Sequence, residues 1–400
     1  MQKRIILSAI PALIIITSFV KMADNPPGRI YDESYKFTTL IDLKATPVKN
    51  QYGTSTCWSF ATTSFIESEL LRLGKGEYDL SEMFIVRYNY IERLRDNYIR
   101  MGKGNIGGGG NAHDWIKVFS KYGIVPEEYY TGLNYGSPIH DHTELQEFIN
   151  AVAAVPLELG HESEQYYKII DAVLDTYLGK VPDSFPYNGV MQNPKTFALS
   201  LGINPEDYVE ITSFNHFPFY SRGLLDLPDN WARESFLNVP LNELIEIIDY
   251  SLKNGYTVNW DGDTSESGFT FSDGIAVNIL VDPLKGDRKR KQTGTPPTYL
   301  PTDKVPSSST PVAEMTVSQN SRQEAYETLS TTDDHGMHLT GIATDENGIK
   351  YYKTKNSWGA QRNSLGGYLY MSESYVRAKT IFIMVNKNGI PPDIRVKLGI

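Results

Sequence analysis

The sequence has almost no cysteine: Cys57 is the only one in 400 residues. A lone thiol excludes an intrachain disulfide, and without a C-x-x-C pair it excludes a cysteine-rich zinc site. Such a thiol is buried, paired between molecules, or reactive. Positive charge is also in short supply. The 38 Lys and Arg stand against 48 Asp and Glu, a formal net charge of −10, which argues against general attraction to nucleic-acid phosphates. Internal repeats are absent, and charged and aromatic contents are those of a globular chain long enough to bury a sizeable core.

What is present begins with "MQKR" and the apolar stretch "IILSAIPALIIITSFV", followed by "KMADNPP". Basic residues before a short apolar segment read as a secretory signal over residues 1–23, with a linker over 24–36. That places the mature chain in the periplasm or outside the cell. Lys21 sits where a small residue is preferred if cleavage follows Ala23, so an uncleaved membrane anchor is the alternative, although the stretch is short for a span.

From Trp58 to Leu73, Trp58, Ala61, Phe65, Ile66, Leu70 and Leu73 recur at helical spacing and Gly74 supplies a stop. Cys57 therefore falls in the first turn of an amphipathic helix. A second helix is expected over 81–102 with Ser81 as cap. A glycine loop, "GNIGGGGNAHDW", leads into a third that ends near Tyr122. Residues 131–254 lean helical, clearest in "PLNELIEIIDYSLKNG" (240–255). After Gly255 the texture turns to strands, in "YTVNWDG", "GIAVNILV", "HLTGIATD", "IKYYKTKNSW", "GGYLYMS" and "TIFIMVN". Helices first and strands last predict an α+β fold. Its expected parts are a helical lobe over 37–130, an insertion over 131–254, a β-rich lobe over 255–385 and a tail over 386–400.

The chemistry centres on Cys57. Free N–H groups and the dipole at a helix start favour a thiolate, which attacks carbonyl carbon. A cysteine nucleophile also needs an imidazole, a group that orients it, and donors for the oxyanion. Gln51 can bring its side-chain amide beside the Cys57 N–H as the oxyanion pair. Asn356 shares a strand face with Tyr352 and Thr354, with Lys353 and Lys355 on the other face. There it can accept from an imidazole, with Trp358 as a roof. His335 and His338, three apart on one strand, face opposite sides, so only one of them can meet Asn356.

"TPVKNQ-x5-CWSFA", the glycine pair before a Trp-bearing helix, "YGIVPEEYY", "DHGMHLTGIA" and "KNSWG…GGYLYM" follow in an order that resembles the papain-like cysteine peptidases. The large insert and "NWDG" resemble the bleomycin hydrolase or aminopeptidase C branch. The resemblance spans roughly residues 40–385, and the insert is its weakest part. It implies a two-lobed papain-like fold with a large helical insertion, and it selects His335 over His338. It also implies a Cys57–His335–Asn356 triad with Gln51, and Gly109 and Gly110 at the backbone that pairs with an extended peptide, where any side chain would block approach. In this branch the chain end lies in the cleft and its carboxylate holds the substrate's amine. The 15 residues from 386 can reach about 50 Å when extended, although "PPDIRVKLG" also reads as a helix.

The expected activity is peptide-bond hydrolysis by an aminopeptidase. The rivals are an endopeptidase of the same fold and a non-hydrolytic binding module on a peptidase scaffold. Peptides are the expected partners, with no nucleic acid, and with membrane contact only through an uncleaved amino-terminal segment. Ring-shaped relatives leave a homo-oligomer open. Neither metal nor organic cofactor is implied. "HDH" (140–142) reads as surface histidines, "DRKRK" (287–291) as a solvated loop, and "DGDTSES" (261–267) as a turn, since it lacks the twelfth-position glutamate of a calcium loop.

Overall fold

A computed structural model describes residues 35–279 and 313–400. The expected signal 1–23, most of the linker and the basic run 287–291 lie outside the described residues. The helices are α1 (Cys57–Arg72), α2 (Glu82–Ile99), α3 (Ala112–Tyr122), α4 (Thr143–Leu159), α5 (Glu164–Leu178), α6 (Pro194–Leu201), α7 (Leu241–Lys253), α8 (Gln319–Glu327), α9 (Glu373–Lys379) and α10 (Pro392–Leu398). Early strands are β1 (Thr38–Asp42), β2 (Phe185–Tyr187), β3 (Val190–Gln192), β4 (Tyr208–Thr212), β5 (Arg222–Leu224) and β6 (Ser235–Asn238). Later ones are β7 (Val258–Gly262), β8 (Phe269–Thr270), β9 (Ile275–Ala276), β10 (His335–Thr344), β11 (Lys350–Lys355), β12 (Tyr368–Ser372) and β13 (Thr380–Asn386).

One large sheet runs in the order β5-β6-β4-β13-β7-β10-β11-β12-β9-β8, with β1 paired to β10. The pleat gives its centre two faces. Val258 and Trp260 of β7 and Met337 and Leu339 of β10 join the apolar cluster that holds α7. Asn259, Asp261, Gly336 and His338 are their alternates and turn the other way, towards α1. Helix α7 suits its side because Leu241, Leu244, Ile245, Ile248 and Leu252 fall on one stripe and are buried. Helix α1 belongs to a second cluster with α2, α3 and the 112–203 region. It is buried almost throughout, polar residues included.

The fold is α+β, as the strand and helix patterns predict, but two boundaries differ. The segment expected as a helical insertion, 131–254, carries four helices but also strands. Its strands β4, β5 and β6 extend the main sheet through β13, and α7 packs in the β-rich lobe. These strands have five, three and four residues, too short for an alternating pattern to register. Strand β1, in the stretch assigned to the helical lobe, likewise pairs with β10.

His140 and His142 are buried, not on the surface as expected, at 8% and 3% exposure. Neither ring nitrogen of His142 has a hydrogen-bond partner among the described residues, and burial lowers its pKa from 6.5 to about 3. An unfolded histidine takes up a proton near pH 6.5 while the folded one refuses it, so stability is lost as pH falls from 6.5 towards 3. Replacing His142 by Gln should remove about 2 kcal/mol of the wild-type loss between pH 7 and pH 5. Denaturant unfolding at the two pH values checks this; an equal loss in both proteins contradicts it.

Candidate active site

Cys57 is the first residue of α1, behind Thr56, and is partly exposed. The loop before it is held tightly. Tyr52 and Ser55 adopt positive φ of 50° and 56°, a conformation that costs a non-glycine residue about 1–2 kcal/mol. The His140–His142 segment braces that loop, because Gly53 N–H donates to the His140 carbonyl at 3.2 Å and His142 N–H to the Gly53 carbonyl at 3.1 Å. Trp58 wedges the first turn in place, with its indole N–H 3.0 Å from the Gly108 carbonyl.

The sulfur lies beside the first residues of β10. The Gly336 N–H donates to it, and a Cβ on Gly336 would stand 3.4–3.6 Å from Ala61, Trp58 and Asp261. The preceding residue, His335, is 4% exposed and holds Asn356 Oδ1 at 2.7 Å through Nε2. Donation from Nε2–H to that oxygen leaves Nδ1 as the nitrogen free to handle a proton. Trp358 lies over the imidazole at a centroid distance of 4.7 Å and is itself set between Phe269 and Phe271. His338 is elsewhere: it faces α1 and bonds Ser64 at 2.9 Å.

Gln51 is buried, and its Oε1 accepts from the Ser357 hydroxyl at 2.7 Å while its backbone N–H donates to the Ser357 carbonyl. The amide is thereby oriented with Nε2 as the remaining donor. Ser357 follows Asn356 directly, so one short segment orients both the imidazole and the Gln51 amide. The "NSWG" motif contains Ser357, but spacing alone gave it no role. Lys355, expected to point away from the Asn356 face, does so, and there it is buried against Ser64 and Thr46, which lowers its pKa to about 8.

Gly109 and Gly110 border the same region, but protein atoms stand against both. The Asp229 carboxylate lies 2.1–2.5 Å from where a Gly109 Cβ would be, and the Trp58 ring and Asp114 about 2.9 Å from one on Gly110. Asp229 comes from the loop between β5 and β6, and sequence spacing offered no signal for it. Two more unpredicted carboxylates lie nearby. Asp261 is on β7 beside Gly336, and Asp333 accepts from the Asn111 amide at 3.2 Å. The tail is not in this region. Helix α10 buries Ile394 and Leu398 in the α7 cluster, with Lys397 bonded to Glu243 and Ser251 to the Gly389 carbonyl. Residues 387–400 therefore lie across the sheet from α1, with "PPDIRVKLG" forming the helix that is one of its two readings.

Burial pushes the Cys57 thiol from 9.0 up to about 12, and Asp229 and Asp333 push it the same way against the Gly336 and Trp58 N–H groups. Burial also lowers His335 to about 4, although its bond to Asn356 favours the proton. Burial thus disfavours the charged form of both groups. Asp229→Asn should move the pH midpoint of Cys57 alkylation by iodoacetamide downward, because one opposing negative charge is removed; an unchanged or raised midpoint would show that Asp229 does not act on the thiol.

The architecture is that of the papain-like cysteine peptidases. It superposes on the crystal structure of pepW from Lactobacillus rhamnosis HN001 with a TM-score of 0.67 at 19% identity, over 90% of this chain and 84% of that one. Residues 309–399 match the model of the Peptidase C1-like family. The chain is 21% identical over 410 residues to cysteine proteinase 1, mitochondrial, of Saccharomyces cerevisiae, covering 90% of this chain and 79% of the relative. It is 22% identical over 389 residues to aminopeptidase C of Lactococcus lactis, covering 87% and 82%. The resemblance to the bleomycin hydrolase and aminopeptidase C branch, read from the motifs, holds along nearly the whole chain.

Proposed function

We propose that the protein is a cysteine peptidase acting through Cys57, His335 and Asn356, and that it removes residues from peptide amino-termini. The observation that carries the reading is that Cys57, at a helix start, takes the N–H of Gly336, the residue after a histidine whose imidazole is oriented by Asn356 at 2.7 Å. The relatives named cysteine proteinase and aminopeptidase C support it. In the reaction, His335 takes the Cys57 proton as the substrate carbonyl arrives, and the sulfur bonds to that carbon. The Gln51 amide and the Cys57 N–H donate to the resulting oxyanion. His335 then gives its proton to the leaving amine, and water, deprotonated by the same imidazole, releases the acyl group and restores the thiol.

Asn356 keeps the ring in the tautomer whose Nδ1 accepts, without adding charge that would hold the proton on the imidazole. Ser357 fixes Gln51 in the same way. Both are positioning groups, so their loss should lower kcat more than it raises KM.

Cys57→Ala should abolish hydrolysis of aminoacyl-coumarin substrates while leaving the melting temperature within a few degrees of wild type. Asn356→Ala should reduce kcat by about 10²-fold or more. Full turnover by Cys57→Ala would sink the reading in favour of a binding module on this scaffold. The same proposal includes export directed by residues 1–23: a reporter fused after residue 36 should be recovered outside the cytoplasm, and cytoplasmic retention would count against it. Among the described residues no helix is long and apolar enough to cross a membrane.

A further inference from the structure

Three carboxylates converge on the thiol from parts of the chain far apart in sequence. Asp229 stands on the loop after β5 with its carboxylate against Gly109. Asp333 precedes β10 and is tied to Asn111, the cap of α3. Asp261 is 3% exposed on β7, and its Oδ1 has no hydrogen-bond partner among the described residues. Asp229 and Asp333 are themselves partly exposed, so the deepest group lies beneath two that solvent reaches. All three are raised above the ordinary carboxylate range, first by burial; Asp333 next raises Asp229 and Asp261, while a hydrogen bond between Asp261 and Asp333 lowers Asp333.

Protein cations offset them only in part, Arg93 acting on Asp229 and His113 on Asp333. Arg93 lies near Asp229, but its guanidinium is spent on the Gly107 and Gly109 carbonyls behind the glycine loop and on the face of Trp231. It also faces Asp114. His113, the other basic group near Asp333, is paired with Glu210 at 2.8 Å. No group of three acidic, histidine or cysteine side chains among the described residues is disposed to hold a metal ion. An anionic pocket with a donor-poor rim and an unpartnered buried oxygen is complementary to an organic cation.

Which cation follows from distance. Asp229 stands against Gly109, next to the Gly108 carbonyl that takes the indole N–H of Trp58, and Asp261 lies beside Gly336 at the sulfur, so a positive charge held there sits within about one residue's length of the carbonyl that the sulfur attacks. An α-ammonium has that reach. A lysine or arginine side chain would extend its charge well beyond it. We propose that Asp229 and Asp333, with Asp261 beneath them, form an anionic subsite beside Cys57 that takes the α-ammonium group of a peptide amino-terminus. This rests on the peptidase reading above and supplies its exopeptidase half from side chains of this chain. Occupation of the subsite also removes the negative field that opposes the thiolate, so amine binding and nucleophile activation are coupled.

The test compares kcat/KM on alanyl-coumarin, N-acetyl-alanyl-coumarin and N-acetyl-arginyl-coumarin. Wild type should prefer the free amine, and Asp229→Asn should cut the ratio of free-amine to blocked alanyl substrate by about 10- to 100-fold; Asp333→Asn should do so too if the first variant fails to fold. A ratio that neither substitution changes overturns the subsite and leaves the peptidase intact. Preferential cleavage of the acetyl-arginyl substrate, lost in Asp229→Asn, overturns the α-ammonium assignment. Should no substrate be turned over, the peptidase reading fails separately, and the subsite is still read from Cys57 labelling. A trimethylammonium-ethyl methanethiosulfonate should react at least about 10-fold faster than its neutral methyl analogue, with that preference lost in the Asp variants. Equal rates with wild type overturn the subsite.

Discussion

The structure depends on one close approach, the first turn of α1 laid directly on the start of β10. Gly336 permits it by placing no side chain between the two, with Ala61, Trp58 and Asp261 only 3.4–3.6 Å from where a Cβ would be. That contact brings Cys57 and His335, whose neighbours Trp58 and Met337 belong to different hydrophobic clusters, to the same point of the structure. A helix in such a position is covered on all sides and cannot be amphipathic in the usual sense. Its polar side chains are instead satisfied across the lobe boundary. Across that boundary Thr62 accepts from Asn259 and Ser64 meets His338 and Lys355, while within its own lobe Glu67 takes Thr46, Lys49 and the Leu80 N–H. A buried polar pair contributes about 1 kcal/mol, yet leaving one partner alone costs more. The lobes are therefore held in one register more firmly than their apolar contact alone would hold them.

That register sets up an electrostatic conflict at the thiol. The helix start favours a thiolate, while burial and two carboxylates oppose it. The imidazole that would share the proton is itself buried and kept neutral. Both shifts work against the ionised pair, and a ligand that changes the field around the two groups changes that balance. Water exclusion by a bound peptide strengthens both the favourable dipole and the unfavourable carboxylates, so the sign of the net effect turns on whether the ligand brings positive charge. The Gln51 amide, fixed by Ser357, carries no such dependence.

The reacting half of this site was legible in the sequence because each part is local. Helical spacing after Cys57 gives the helix start, the residue types of "HGMHLTGIA" and "TKNSWG" give two adjacent strands, and family order separates His335 from His338. The parts that stayed hidden are those whose meaning depends on what folds against them. His140 and His142 look like loop residues until Gly53 is seen between them, and Lys355 looks like an exposed strand lysine until α1 covers that face. β4, β5 and β6 are too short to declare themselves, so the segment that carries Asp229 read as insertion.

The two halves differ in how they are encoded, and this bears on specificity. The groups proposed for attack, proton transfer and oxyanion binding lie at residues 51–57, 335 and 356–357, inside contiguous motifs. The carboxylates proposed to hold a substrate's amine, Asp229, Asp261 and Asp333, lie on an irregular turn, a strand and a strand entrance, with no shared spacing. Residues at such positions can change without disturbing β10 or α1. The tail lies across the sheet on α7, so in this structure the carboxylates nearest Cys57 are side chains. A requirement for negative charge at one end of the groove constrains charge and distance but not chain position, and the loop after β5 meets it here with Asp229.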